Sequence, residues 1–220
     1  LGPAMEHLQA VYRPKKWALI GNDYVWPRSS NAYAKNKIAS LGAGISYEKY
    51  IPFGQLDFFR EIEEITASGS EAILISLVGQ DAVQFNRNFG ALNAHETMIR
   101  LSCAIEENAL LASGSVGLKR LFSSSSYFAS LKSEQNSAFK EKYYTLHGDR
   151  APMLNALGQS TYEGVQFLKG LVQTHGQNWS EFDKSHSRPL IYKSVRNVRF
   201  VSNDEKSSPI YLARADGVMY

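Results

Sequence analysis

Between Ser68-Gly69 and Gly79 the chain carries Ala72-Ile73-Leu74-Ile75-Ser76-Leu77-Val78, an almost unbroken apolar run. It is too short to cross a bilayer, which takes about 20 apolar residues. Apolar side chains at both parities mean that, as a strand, it must be covered on both faces. Most folds that cover both faces of a strand do so with helices, and the flanking sequence supplies them.

His7, Leu8, Val11 and Tyr12 predict a first helix over 2–12, and Trp17-Ala18-Leu19-Ile20 a buried strand ending at Gly21. Pro27 suits the first turn of a helix that runs to Leu41 and stops at Gly42. Ile45 to Ile51 reads as a second strand before Pro52, and Leu56, Phe59, Ile62 and Ile65 as another helix. A helix opens near Asp81, a strand follows near Met98 to Cys103, and a helix lies near Glu106 to Ala112. The expected class is therefore α/β: a parallel sheet covered by helices on both faces. Ligands of such sheets sit beyond the carboxyl ends of the strands. That rule selects the loops Asn22–Arg28, Val78–Asp81 and Ala104–Glu107.

After Gly117 the pattern changes. Leu118 to Phe122 reads as a strand, Ser123 to Ser126 as a turn or crossover, and two long helices follow over 131–146 and 153–174. The tail reads as short strands at Leu190–Tyr192, Val195–Val201, Pro209–Ala213 and Val218–Tyr220, with a turn at Asp204-Glu205-Lys206. Lys193 to Arg199 alternates with apolar residues, so it reads as a strand with one solvated face rather than a basic patch.

Charge and motif content exclude several function classes. A net charge of +3 without a basic face gives no footprint for nucleic acid. The single cysteine, Cys103, sits in an apolar run and reads as a small buried hydrophobe. His7, His95, His147, His175 and His186 show no metal-ligand spacing. Neither a Gly-x-Ser-x-Gly elbow nor a phosphate loop is present, so no catalytic residue, cofactor or metal is expected. Gly42-Ala43-Gly44 follows a helix and reads as its stop. The chain begins Leu-Gly-Pro-Ala-Met and enters a helical pattern at once, so a missing signal peptide does not argue for the cytoplasm.

Two loops carry candidate chemistry. Asp23-Tyr24-Val25-Trp26-Pro27-Arg28 places two aromatic rings directly after a buried strand. They can wall a small pocket, with the Tyr24 hydroxyl bonding a polar ligand, or pack down on the sheet. Glu106 and Glu107 stand at a helix start, where carboxylates cap favourably. One of them can instead face the cleft and accept a hydrogen bond from an amide or ammonium group.

The run Ile20-Gly21-Asn22-Asp23-Tyr24-Val25-Trp26-Pro27-Arg28-Ser29-Ser30-Asn31 resembles the signature of the urea and short-chain-amide branch of the type I periplasmic binding proteins. Tyr50-Ile51-Pro52, Gly79-Gln80-Asp81, Ala104 to Glu107, Ser160 to Val165 and Ala215-Asp216-Gly217 resemble further family segments, in order. The branch includes urea ABC-transporter binding proteins and an amide-sensing regulator of an amidase operon. Asn22 stands where that branch has serine, and Tyr192 to Val195 where it has a Gly-Pro turn.

The resemblance implies a two-lobed receptor with three crossovers that closes on a small ligand and performs no chemistry. Residues 1–118 and 175–220 are expected to form the second lobe and 119–174 to return to the first, most of which would precede Leu1. Tyr24, Trp26, Val78, Gly79, Gln80, Asp81 and Glu106 are the implied ligand contacts. The implied ligand is urea, a short-chain amide or an amino acid. The implied partner is a membrane permease, with a periplasmic or extracytoplasmic location, or a regulatory protein in the cytoplasm; a homodimer is compatible with either. An enzyme on a doubly wound sheet is the rival of another class, and a sensor domain attached to an output module the other alternative.

Overall fold

The computed structural model describes residues 1–183, 189–196, 199–201, 209–217 and 219–220. Contacts divide them into two compact units, Leu1–Ser125 with Leu212–Tyr220, and Ser126–Tyr211. The units part at Ser125 and Tyr211.

Unit 1 is an α/β sheet. Its strands are β1 (Lys16–Asn22), β2 (Gly44–Ile51), β3 (Ala72–Ser76), β4 (Ile99–Ser102), β5 (Leu121–Ser125) and β8 (Tyr211–Arg214), in the order β2-β1-β3-β4-β5-β8. The pairs β1–β2, β1–β3, β3–β4 and β4–β5 are all parallel. Side-chain parity divides the core in two. Ala18, Ile20, Ile73 and Ile75 pack with Ile62 and Ile65 of α3 (Phe59–Ala67) and Ala82, Phe85 and Phe89 of α4 (Gly79–Ala91). Trp17, Leu19, Ala72, Leu74 and Leu101 join Met5 and Leu8 of α1 (Gly2–Tyr12) and Ala34 and Ile38 of α2 (Val25–Ser40). Ala72 to Leu77 are buried for this reason: β3 has neighbours on both edges and helices on both faces. The helix stop at Gly42 also holds, with φ +74° just beyond α2.

Among the described residues no strand pairs with the outer edge of β2. Its charges are engaged from the side: Lys35 bonds Glu48 at 2.9 Å, and Lys49 bonds Glu61 at 3.0 Å and Glu64 at 3.1 Å.

The serine run corrects a sequence expectation. Rather than a turn, Ser123 to Ser125 are the end of β5, and Ser123 and Ser124 are buried. Serine can occupy a buried strand when its hydroxyl is satisfied; Ser123 Oγ donates to the Ile105 carbonyl at 2.5 Å. The strand starts later than expected because residues 117–120 form a tight turn, with Gly117 at φ +80° and Arg120 at φ +59°.

That turn is anchored by Arg100. The side chain is fully buried and donates to Asn86 Oδ1 at 2.7 Å, to the Lys119 carbonyl at 2.8 Å and to the Gly117 carbonyl. Its guanidinium lies 4.4 Å from the Phe89 ring centre. Gly117 passes so close to α4 that a Cβ built on it would lie 2.2 Å from Gly90 Cα.

Unit 2 contains α6 (Glu134–His147), α7 (Ala156–His175) and the antiparallel pair β6 (Ile191–Lys193) and β7 (Arg199–Val201). Both long helices begin at side-chain caps: Ser133 accepts from the Asn136 N–H and Asn155 from the Gly158 N–H. Tyr127, Phe139, Leu154, Ala156 and Val195 form its core. The expected half-solvated strand over Lys193 to Arg199 is not continuous. β6 ends at Lys193, and Ser194 and Val195 turn inward because Glu163 of α7 accepts from the Ser194 hydroxyl and, at 3.0 Å, the Val195 N–H. Arg196 adds an ion pair to Glu163 at 2.8 Å. Glu163→Ala is expected to cost about 2–3 kcal/mol, since it strands buried donors; urea unfolding followed by circular dichroism measures it, and a loss under about 0.5 kcal/mol would contradict the anchoring role.

Of the expected strand at Val218–Tyr220, residue 218 lies outside the described set, and Met219 forms an isolated bridge with Asp216. The expected turn at Asp204-Glu205-Lys206 and the residues 197–198 lie outside the described set.

Candidate functional site

Strand order places the site. In the order β2-β1-β3-β4-β5 successive connections leave β1 in opposite directions, which opens a crevice at the carboxyl ends of β1 and β3. Register aligns those ends: Gly21 pairs with Ser76, Asn22 with Ile51, and Ile75 with Ser102. The loops after β1, β2, β3 and β4 therefore share one edge. Gly21 is required there, because a Cβ would meet Pro27 Cβ at 2.7 Å and Ser76 Cβ at 3.1 Å.

The aromatic loop after β1 does not fold down onto the sheet. Tyr24 and Trp26 are half-buried, with ring centres 6.3 Å apart, and Val25 between them is exposed. Tyr24 also meets Phe53 of the loop after β2, at 5.3 Å. Phe53 is 59% exposed, so this ring is presented rather than stored. Sequence reasoning passed over Phe53. The rule that picked the other loops, residues beyond a strand's carboxyl end, would have found it after Tyr50-Ile51-Pro52. The loop is braced from outside by Arg28, which pairs with Asp23 at 2.7 Å and lies 4.3 Å from the Tyr50 ring centre.

The loop after β3 has two layers. Val78 is half-buried, and Gly79 and Gln80, the first residues of α4, are exposed. Asp81 is different: it is 3% exposed. Its Oδ2 accepts from Asn22 Nδ2 at 2.6 Å, and both its oxygens lie 3.2 Å from the Gly54 N–H. Asn22 is also buried and accepts the Val78 N–H at 2.9 Å. The helices α2 and α4 both start at this edge, at Tyr24 and Val78, and neither start has a side-chain cap. The N–H groups of Val25 and Trp26 in α2 and of Gly79 and Gln80 in α4, at the positive end of each helix dipole, thus have no side-chain cap and can address a carbonyl or carboxylate oxygen.

After β4, Glu106 is half-buried at the start of α5 (Glu107–Ser113), and Glu107 is buried. Cys103 precedes them; burial holds its thiol above the ordinary cysteine range. Alkylation by iodoacetamide at pH 8 is expected to run about tenfold slower than for a free thiol, because the thiolate is the nucleophile. A rate equal to that of glutathione would show the thiol to be open to solvent.

The profile of the periplasmic binding protein family matches residues 2–208. The chain belongs to that family. The likeness extends to solved periplasmic binding proteins. An ABC-transporter solute-binding protein from R. palustris, in complex with 4-hydroxybenzoate, is 19% identical with a TM-score of 0.79; the match covers 98% of this chain and 60% of that one. A branched-chain amino acid ABC-transporter periplasmic ligand-binding protein from Burkholderia xenovorans LB400 is 17% identical with a TM-score of 0.72, covering 99% of this chain and 57% of that one. An amino acid ABC-transporter substrate-binding protein from Pseudomonas fluorescens Pf-5 is 15% identical with a TM-score of 0.72, covering 86% and 50%. At these identities the likeness shows the fold. The chain thus spans about 60% or less of each of these structures. No curated protein sequence matches it. Among the described residues no helix is long and apolar enough to cross a membrane, and no group of His, Cys, Asp and Glu is arranged to hold a metal ion.

Proposed function

We propose that this periplasmic binding protein chain supplies one wall of the ligand site of an ABC-transporter solute receptor, and that the solute is small, polar and both a hydrogen-bond donor and acceptor. Urea, a short-chain amide or an amino acid fits that description. The observation that carries the reading is the aromatic group Tyr24, Trp26 and Phe53 standing beside the uncapped starts of α2 and α4 at the β1/β3 crevice. The rings offer flat apolar walls, the helix starts offer N–H donors to a carbonyl oxygen, and Glu106 brings a carboxylate that attracts an amide or ammonium N–H.

In this reading Tyr24, Trp26, Val78, Gly79, Gln80 and Glu106 touch the solute, and Phe53 joins them. Unit 1 corresponds to the second lobe of a receptor and unit 2 to chain belonging to the first. The receptor works outside the cytoplasmic membrane, delivers its solute to a permease and transforms nothing. Binding shifts a conformational population only as far as the solute prefers one state over another.

Calorimetry on the full-length protein tests this with urea, acetamide, butyramide, leucine and 4-hydroxybenzoate. Saturable heat from an amide or an amino acid, weakened at least about tenfold by Trp26→Ala, is the expected result. Heat from 4-hydroxybenzoate alone would replace the amide reading with an aromatic acid. Silence across the panel, or a Trp26→Ala variant binding as the parent does, would overturn the reading.

A further inference from the structure

Asn22 at the end of β1, Gly54 in the loop after β2, and Val78 and Asp81 at the start of α4 come from three separate segments, yet one hydrogen-bonded cluster joins them. Asn22 Nδ2 donates to Asp81 Oδ2 at 2.6 Å, the Val78 N–H donates to Asn22 Oδ1 at 2.9 Å, and the Gly54 N–H is shared between the two Asp81 oxygens at 3.2 Å each. Both side chains are buried, Asn22 at 0% and Asp81 at 3% exposure. Gly54 follows Phe53 and has φ +83°, a left-handed geometry that turns its N–H toward Asp81 and that only glycine adopts without strain. The residues bonded by the cluster lie within two positions of the candidate contacts: Phe53 next to Gly54, Gly79 next to Val78, and half-buried Tyr24 two positions beyond Asn22.

We propose that Asn22 and Asp81 are a buried clamp that sets the distance between the Tyr24 and Phe53 rings before a solute arrives, so that Asp81 is a positioning residue and not a ligand contact. The inference rests on the proposed binding role of that edge for its consequence, but not for its geometry. With 3% exposure and both oxygens turned toward protein donors, the Asp81 carboxylate is not presented to solute, whereas loosening it releases three loops together. Preorganisation of this kind raises affinity by removing the ordering that binding would otherwise require.

The chemistry allows a rescue. In Asp81→Asn one of the two oxygens that face the Gly54 N–H becomes an NH2 group, so donor meets donor there and the tie to the loop after β2 weakens. Combining it with Asn22→Asp exchanges donor and acceptor: the amide at 81 donates to the carboxylate at 22, which still accepts the Val78 N–H, while the amide oxygen at 81 accepts the Gly54 N–H. Hydrogen exchange on the full-length protein without solute reads the clamp directly. Peptides covering 52–56 and 77–80 are expected to exchange at least about tenfold faster in Asp81→Asn and to return toward the parent rate in the exchanged pair. Calorimetry with whichever panel solute binds should then show about a tenfold loss in Asp81→Asn and recovery in the exchanged pair. Ile65→Val, a core change of α3 away from the edge, should lower stability without moving affinity.

Unchanged exchange in Asp81→Asn would overturn the clamp. Faster exchange with unchanged affinity would overturn its positioning role, and so would an exchanged pair that restores neither. Were no panel solute to bind the parent, the receptor reading would fall, and the exchange experiment alone would still decide for or against the clamp.

Discussion

Arg100→Ala is expected to lower the unfolding free energy by about 3–5 kcal/mol. Three acceptors lose their donor: Asn86 Oδ1 and the carbonyls of Gly117 and Lys119. A buried polar group left unsatisfied costs about 1–3 kcal/mol, and the void left beside Phe89 adds to it. Relief from burying a charge works in the opposite direction and keeps the sum below the simple total. Arg100→Lys should recover little, since an ammonium cannot address spread, coplanar acceptors as a guanidinium does. Arg100→Met fills the void but not the hydrogen bonds and should fall between the parent and alanine. Urea unfolding followed by circular dichroism measures all three; a methionine variant as stable as the parent would show that the hydrogen bonds contribute nothing net.

Gly117→Ala should be nearly as damaging, for a steric reason. Its backbone sits at φ +80°, which costs a residue with a Cβ about 1–3 kcal/mol by itself. The added methyl would also arrive 2.2 Å from Gly90 Cα, and a backbone atom on a helix packed against the sheet cannot step aside. We expect a loss of about 3 kcal/mol or more. Gly90→Ala, whose Cβ would meet the Val116 carbonyl oxygen at 2.7 Å, should reproduce part of it from the other side of the same contact. Thermal melting of both variants tests the pair. A Gly117→Ala protein within about 1 kcal/mol of the parent would mean that the turn and α4 separate easily.

How much of this was legible in the sequence depends on the distance over which each signal acts. The α/β class was, because apolar runs such as Ala72 to Val78 and helix punctuation such as Pro27 and Gly42 are local. The carboxyl-edge rule then located Tyr24 and Val78 without knowledge of any partner. The serines of β5 were misread as a turn because their burial depends on a carbonyl, that of Ile105, supplied by a different loop. The buried state of Asp81 was likewise invisible. Its partner Asn22 lies 59 positions away, and nothing local distinguishes a carboxylate aimed inward from one aimed at a ligand. Arg100 illustrates the same limit: inside an apolar strand it gives no sign of the turn that it holds.

The outer edge of β2 has a further consequence. An outer strand offers a row of unpaired amide and carbonyl groups, which is a template for strand-by-strand aggregation between copies. Here the strand carries Glu48 and Lys49 in mid-length, each held by charged partners from α2 and α3. A second copy approaching in register would have to bring its own charges against these, so colloidal stability at high concentration is protected by the same ion pairs that brace the sheet.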